Sequence, residues 1–191
     1  MSEVDPDVVV HLAAVSFVPQ AEDDFANALA TNVGALHTIC SHSNVHNGAA
    51  RLIFISSSEV YGHVSSEQLP IVEDTPARPA NAYSLTKLMA EQLVRQYVEY
   101  DKLNAVILRS FNHIGPGQNE RFVVPAFARQ LAEIAQERRE AVVKVGNLSA
   151  RRDFSDVRDI VRAYQAAITV GEGVYHLCSG VAVSVEEVLE T

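Results

Sequence analysis

The feature that most limits how this chain can fold is a set of apolar runs of strand length, each continuous rather than alternating, separated by longer amphipathic stretches. The runs are "VVVHLA" (8–13), "RLIFIS" (51–56), "AVILRS" (105–110), "VVKV" (142–145) and "VYHLC" (174–178). A strand that is apolar at every position is covered on both faces, as in a parallel sheet flanked by helices. The intervening stretches agree. Residues 22–47 place Phe25, Leu29, Leu36 and Ile39 at helical spacing and end at Asn47-Gly48, and residues 82–101 carry a stripe of Leu85, Leu88, Met89, Leu93 and Tyr97. On that second helix Lys87, Glu91, Arg95 and Glu99 form an i,i+4 charge ladder. Further helices are expected at 122–137, at 157–169 behind a cap at Asp156, and from Ser184, whose spacing to Glu187 is that of a capping box. At 191 residues, 48% of them hydrophobic, the chain suits one substantial core, so a single α/β domain over 1–191 is expected.

Charge and composition remove several function classes. A net charge of −9 argues against a nucleic-acid partner, because phosphate-backbone binders carry a basic face. Cys40 and Cys178 lie far apart without metal or disulfide-framework spacing, and no residues group at metal-ligand spacing, so no metal is expected. His11, on a strand, reads as a locally hydrogen-bonded histidine. The acidic start "MSEVDPD" is unlike a signal peptide, and "VVVHLAAVSFV" is too short to span a bilayer. A soluble cytoplasmic protein is the expectation.

The chemistry concentrates in "NAYSLTK" (81–87), where Tyr83 and Lys87 share one face of the first helical turns. This helix follows the loop leaving the "RLIFIS" strand, whose exit is "SSSEVYG", and ligands of open α/β sheets bind at the carboxyl ends of strands. An adjacent ammonium favours the phenolate and is expected to bring the phenol toward the working pH range. A serine at the strand end can hold the same substrate oxygen for proton exchange.

These residues resemble the extended short-chain dehydrogenase/reductases that act on nucleotide-activated sugars, the NAD-dependent epimerases and dehydratases. The resemblance runs in order through "PDVVVHLAAVSFV", "TNVGALHTI", "ISSSEVYG", "YSLTK", "LRSFNHIGPGQ", "FVVPAFARQLAEI" and "VGNLSARRDFSDVRDIVRAY". It implies a partial Rossmann-like sheet with flanking helices. It also implies Tyr83 as general acid/base, Lys87 as its electrostatic partner on the nicotinamide ribose, Ser57 as the substrate-binding hydroxyl and Asn32 as the helix asparagine of the catalytic set. Ala13 and Ala14 lie against an NADP or NAD cofactor in this reading, and Asn112 and Arg152 contact the phosphates of a nucleotide-sugar. The downstream segments most resemble GDP-6-deoxy-4-keto-mannose reductases. Glu59 stands where related 4,6-dehydratases keep a base, so a dehydratase or epimerase is the alternative, as is a non-catalytic nucleotide-sugar-binding module.

None of the nine glycines forms the Gly-rich turn that cradles a dinucleotide pyrophosphate, which places the sequence as a truncated relative at both ends with weak or no cofactor binding of its own. A strand at 8–13 without its family neighbour is an apolar edge. A homodimer, or a partner covering that edge, is therefore expected.

Overall fold

The computed structural model describes residues 6–45, 50–169 and 171–191; the expected Asn47-Gly48 helix stop lies outside them. In chain order the strands are β1 (Val8–His11), β2 (Arg51–Ser57), β3 (Ala105–Ser110), β4 (Asn112–Ile114), β5 (Arg151–Asp156), β6 (Gly173–Leu177) and β7 (Ala182–Ser184). The helices are α1 (Val18–Asp23), α2 (Phe25–Leu29), α3 (Ala35–Val45), α4 (Ala82–Asp101), α5 (Val123–Ala135), α6 (Val157–Ala166) and α7 (Val185–Glu190). The chain divides into two compact units, Met1–Phe111 with Arg162–Leu177, and Asn112–Val161 with Cys178–Thr191.

The first unit is a parallel sheet of order β1-β2-β3-β6. The two central strands are buried along almost their whole length, as their unbroken apolar runs require. Side-chain alternation splits them between two cores. Leu52, Phe54, Ala105 and Ile107 pack with Leu36 and Cys40 of α3 and Ala90 and Val94 of α4, while Ile53, Ile55, Val106 and Leu108 pack with Ala167 and the half-buried Tyr164. Among the described residues β1 pairs only with β2, so it forms one edge of this sheet.

The expected helix over 22–47 is not continuous. Asp24 breaks it, its side chain capping α2 through a hydrogen bond from Asn27 N (3.0 Å), and residues Ala30–Gly34 form a π-helical turn before α3. The helix expected at 82–101 matches α4, whose Asn81 and Ser84 make a reciprocal capping box.

The second unit contains β4, β5 and β7, with β5 parallel to β4 and antiparallel to β7. These strands are short and lack the apolar runs that mark the first unit. The strand expected at 142–145 is absent. Val142 and Val145 are exposed, and the Gln130 amide serves this backbone instead, accepting from Lys144 N (2.9 Å) and donating to Lys144 O (3.1 Å). Before α7, Ser184 and Glu187 form the expected capping box.

Candidate active site

The last residue of β2, Ser57, is buried and turns the chain: its Oγ accepts from Glu59 N (3.2 Å), capping the short 3-10 turn Ser58–Tyr61. At Gly62 the backbone adopts φ +64°, and a Cβ there would strike the Arg78 carbonyl oxygen. Only glycine lets the outgoing loop lie against the incoming one that leads to α4.

The N-terminus of α4 is fixed from several sides. Asn81 Oδ1 accepts from Ser84 N (2.8 Å), Ser84 Oγ accepts from Asn81 N (3.1 Å), and Glu22 Oε1 accepts from Ala82 N (2.7 Å). Tyr83, in this first turn, is hydrogen-bonded to the Ser57 hydroxyl. Burial pushes the Tyr83 phenol up to about 12, the bond to Ser57 pulls the other way, and Glu59 and Tyr164 add to the rise. At neutral pH Tyr83 therefore holds its proton.

Lys87 lies one turn further on and is buried. Its Nζ donates to Ile55 O (2.7 Å) and sits 5.2 Å from the Phe54 ring centroid and 6.0 Å from that of Tyr83. Burial brings Lys87 down to about 8, opposed by the charge of Glu91. The expectation that the ammonium brings the phenol's pKa down is not met in this resting geometry: burial dominates at Tyr83 and Lys87 is spent on a backbone carbonyl.

Asn32 sits on the π turn, 1% exposed. Its Oδ1 accepts from Val15 N (2.8 Å), and its Nδ2 donates to Val15 O (3.2 Å) and to Thr86 Oγ1 (2.8 Å). The extra residue of a π turn redirects side chains at such places. Here one amide ties the loop after β1 to the residue preceding Lys87. On that loop Ala13 is exposed and Ala14 half-buried. His11, just before it, is buried against Phe54 (ring centroids 6.1 Å) with Nε2 lacking a hydrogen-bond partner, contrary to its expected local satisfaction.

The structure thus groups Ser57, Tyr83, Lys87, Asn32 and Glu59 around the carboxyl end of β2. Glu59 is exposed, and its Oε2 accepts from Asn81 Nδ2 (3.4 Å). An orphaned buried imidazole nitrogen, two small residues with open faces and a lysine near the phenol fit a flat, polar-edged ligand such as a nicotinamide ribose. Asn112 and Arg152 belong to the second unit, where both are exposed; Arg152 Nη1 donates to Arg151 O (2.8 Å). Among the described residues no cluster of histidine, cysteine, aspartate or glutamate can hold a metal, and no helix is long and apolar enough to cross a membrane.

Three residues that matter to this site escaped the sequence reading. Glu91 stands with Lys87 in the i,i+4 charge ladder and both are buried; the pattern gives charges a common face without saying which way the face points. Arg109 had a visible signal, since a lone charge inside a strand buried on both faces must be paired. Thr86 had none beyond its place in "YSLTK".

The geometry has close counterparts among known proteins. The chain is 36% identical to a GDP-6-deoxy-D-mannose reductase from Pseudomonas aeruginosa over 97% of its own length and 62% of the relative's. It superposes on RMD from the same organism, solved complexed with NADPH, with a TM-score of 0.93 at 36% identity, covering 97% of this chain and 63% of that one. MoeE5 in complex with UDP-glucose and NAD gives a TM-score of 0.84 at 33% identity, covering 96% and 60%. The chain therefore spans about three fifths of the length of these relatives. The family model for GDP-mannose 4,6 dehydratase matches this chain across residues 1–191, and to that family the chain belongs.

Proposed function

We propose that the chain carries the proton-transfer centre of a nucleotide-sugar oxidoreductase that reduces the C4 ketone of a GDP-4-keto-6-deoxyhexose. The observation that carries this reading is the Ser57–Tyr83 pair, in which burial keeps the phenol protonated. A neutral phenol is the form that gives a proton to a developing alkoxide, and so suits reduction. Ser57 and Tyr83 hold the ketone oxygen between two hydroxyls. Lys87 and the loop of Ala13 and Ala14, pinned by Asn32, face the cofactor. NADP or NAD, when bound, supplies the hydride. In the second unit Asn112 and Arg152 contact the substrate phosphates, the arginine through its planar fork. The similarity to a GDP-6-deoxy-D-mannose reductase supports this choice of sugar nucleotide.

Glu59 favours a second reading. Its exposed carboxylate acts on the Tyr83 phenol and is placed to take a proton from substrate, as a 4,6-dehydratase requires. We propose further that the protein is cytoplasmic and works as a homodimer, or with a partner covering β1. Exposed Leu85, Met89 and Val98 on α4 support an association through that helix as well.

NADPH oxidation with a GDP-4-keto-6-deoxyhexose tests the reductase, and water loss from GDP-mannose tests the dehydratase. Turnover only in the second assay overturns the first reading. Binding of GDP-mannose without binding of NADPH supports a non-catalytic module instead. Light scattering that gives a monomer removes the dimer.

A further inference from the structure

We propose that Glu91 is a positioning residue for the Tyr83–Lys87 pair, holding the Lys87 ammonium and the Ser56 hydroxyl in place with Arg109 as its buried counter-ion. The inference rests on the reading of Tyr83 and Lys87 as the reacting pair.

Lys87 and Glu91 are one turn apart on α4, 4% and 0% exposed. Each grips β2. Lys87 Nζ donates to Ile55 O (2.7 Å), and Ser56 Oγ donates to Glu91 Oε1 (2.6 Å). Successive turns of the helix that bears Tyr83 therefore hold successive residues of the strand that ends in Ser57. Any slide of α4 along β2 would part Tyr83 from Ser57, and these two bonds oppose it.

Arg109, on β3, completes the carboxylate. It donates from Nε to Oε1 (2.9 Å) and from Nη2 to Oε2 (2.7 Å), a bidentate fork. Its Nη1 goes on to Tyr61 OH (2.6 Å) and Glu73 O (3.0 Å). The same guanidinium thus ties down the turn that carries Glu59. A buried ion pair adds little stability over a well-packed apolar pair, so its placement beside a reactive lysine calls for another role.

The groups facing Lys87 define that role. They are Tyr83 and Glu91 from α4, His11 from β1, and the Phe54 ring and Ile55 carbonyl from β2; Arg109 of β3 acts through Glu91. Of these Glu91 alone is an anion. It is the charge that keeps a buried ammonium cationic, while Arg109 moderates it.

Lys87 is one of three lysines, and the others, Lys102 and Lys144, are exposed. Reductive methylation with a carbon-13 label gives each amine its own NMR titration in the intact chain. Glu91→Gln leaves Arg109 uncompensated, and is expected to lower the Lys87 midpoint by about one pH unit or more. Arg109→Gln leaves Glu91 with only the half-exposed Arg95 (4.0 Å) as counter-ion, and raises the midpoint. A merely structural role moves both variants the same way, toward Lys102 and Lys144, because loosening admits water. Shifts of one sign, or none, overturn the proposal. The apolar double variant Glu91→Met, Arg109→Met keeps the question open to test if a single variant fails to fold. Its midpoint should lie below that of the unaltered chain, and an unshifted value would overturn the proposal. Turnover is not the readout, so a chain without reductase activity counts against the proposed function and leaves this result standing.

Discussion

The two units place their polar groups in opposite ways. In the first, Asn32, Lys87, Glu91 and Arg109 are all at least nine-tenths buried, and each side chain is hydrogen-bonded to a neighbour that cannot move away. In the second, no charged side chain is buried among the described residues: Arg152 bonds the carbonyl beside it, and Arg129 and Glu133 pair on a helix face. Burial costs desolvation and returns a fixed geometry, which is what proton transfer between named atoms needs. Exposure keeps charges hydrated and adaptable, which suits groups that meet a flexible, charged ligand only when it arrives. On this contrast, substitutions in the first unit should damage both chemistry and stability, whereas those in the second should damage binding alone.

The sharpest way to break the contrast is Tyr83→Phe. It should lower reductase turnover by roughly 10²–10⁴ while leaving the fold intact. Retained NADPH oxidation would remove Tyr83 from the chemistry. Next in size, Asn32→Ala strips partners from Val15 N, Val15 O and Thr86 Oγ1, and should cost about 3 kcal/mol in urea unfolding. A loss below about 0.5 kcal/mol, the usual range of surface changes, would show that burial is not holding this loop.

The pH dependence of stability follows from the buried Lys87 and Cys40 and the half-buried Tyr83, each contributing at most about 1.4 kcal/mol per pH unit. Lys87 falls from 10.5 to about 8, so between those values the unfolded chain binds more protons and stability rises with pH. Cys40 rises from 9.0 to about 12 and Tyr83 from 10.0 to about 12; in those windows the folded chain binds more protons and stability falls with pH. The sum is a gain from about 8 to 9, a level stretch to about 10, and a decline beyond it. Urea midpoints measured from pH 7.5 to 11 check this shape. A steady fall from pH 8 would mean that Lys87 is not desolvated. The smallest effect is expected at Arg152→Ala, which should leave the unfolding midpoint unchanged within error while weakening GDP-mannose binding. A stability loss there would undo the contrast from the other side.

Legibility in the sequence followed the same division. Unbroken apolar runs announced β1, β2, β3 and β6; the central pair is covered on both faces, which leaves little freedom of composition, whereas the edge strands β1 and β6 are only partly buried. The short β4, β5 and β7 escaped notice, and "VVKV" misled, because half-exposed strands of three to six residues carry no pattern distinct from loop. The site was legible where spacing speaks, in Tyr83 and Lys87 on one helix face and in Ser57 at a strand exit. It was illegible where the fold decides. Whether Glu91 points to solvent or to Arg109 depends on how α4 is rolled against β2, and no local spacing records that.

The π turn at Ala30–Gly34 carries a cost for anyone wishing to make this protein hardier. Deleting one residue would straighten the segment into an ordinary α-helix, a change that favours the secondary structure. Every side chain beyond the deletion would then swing around the axis by about 100° relative to those before it. Val15 and Thr86 would lose the amide that joins them. Robustness and aptitude are here written into the same five residues with opposite instructions.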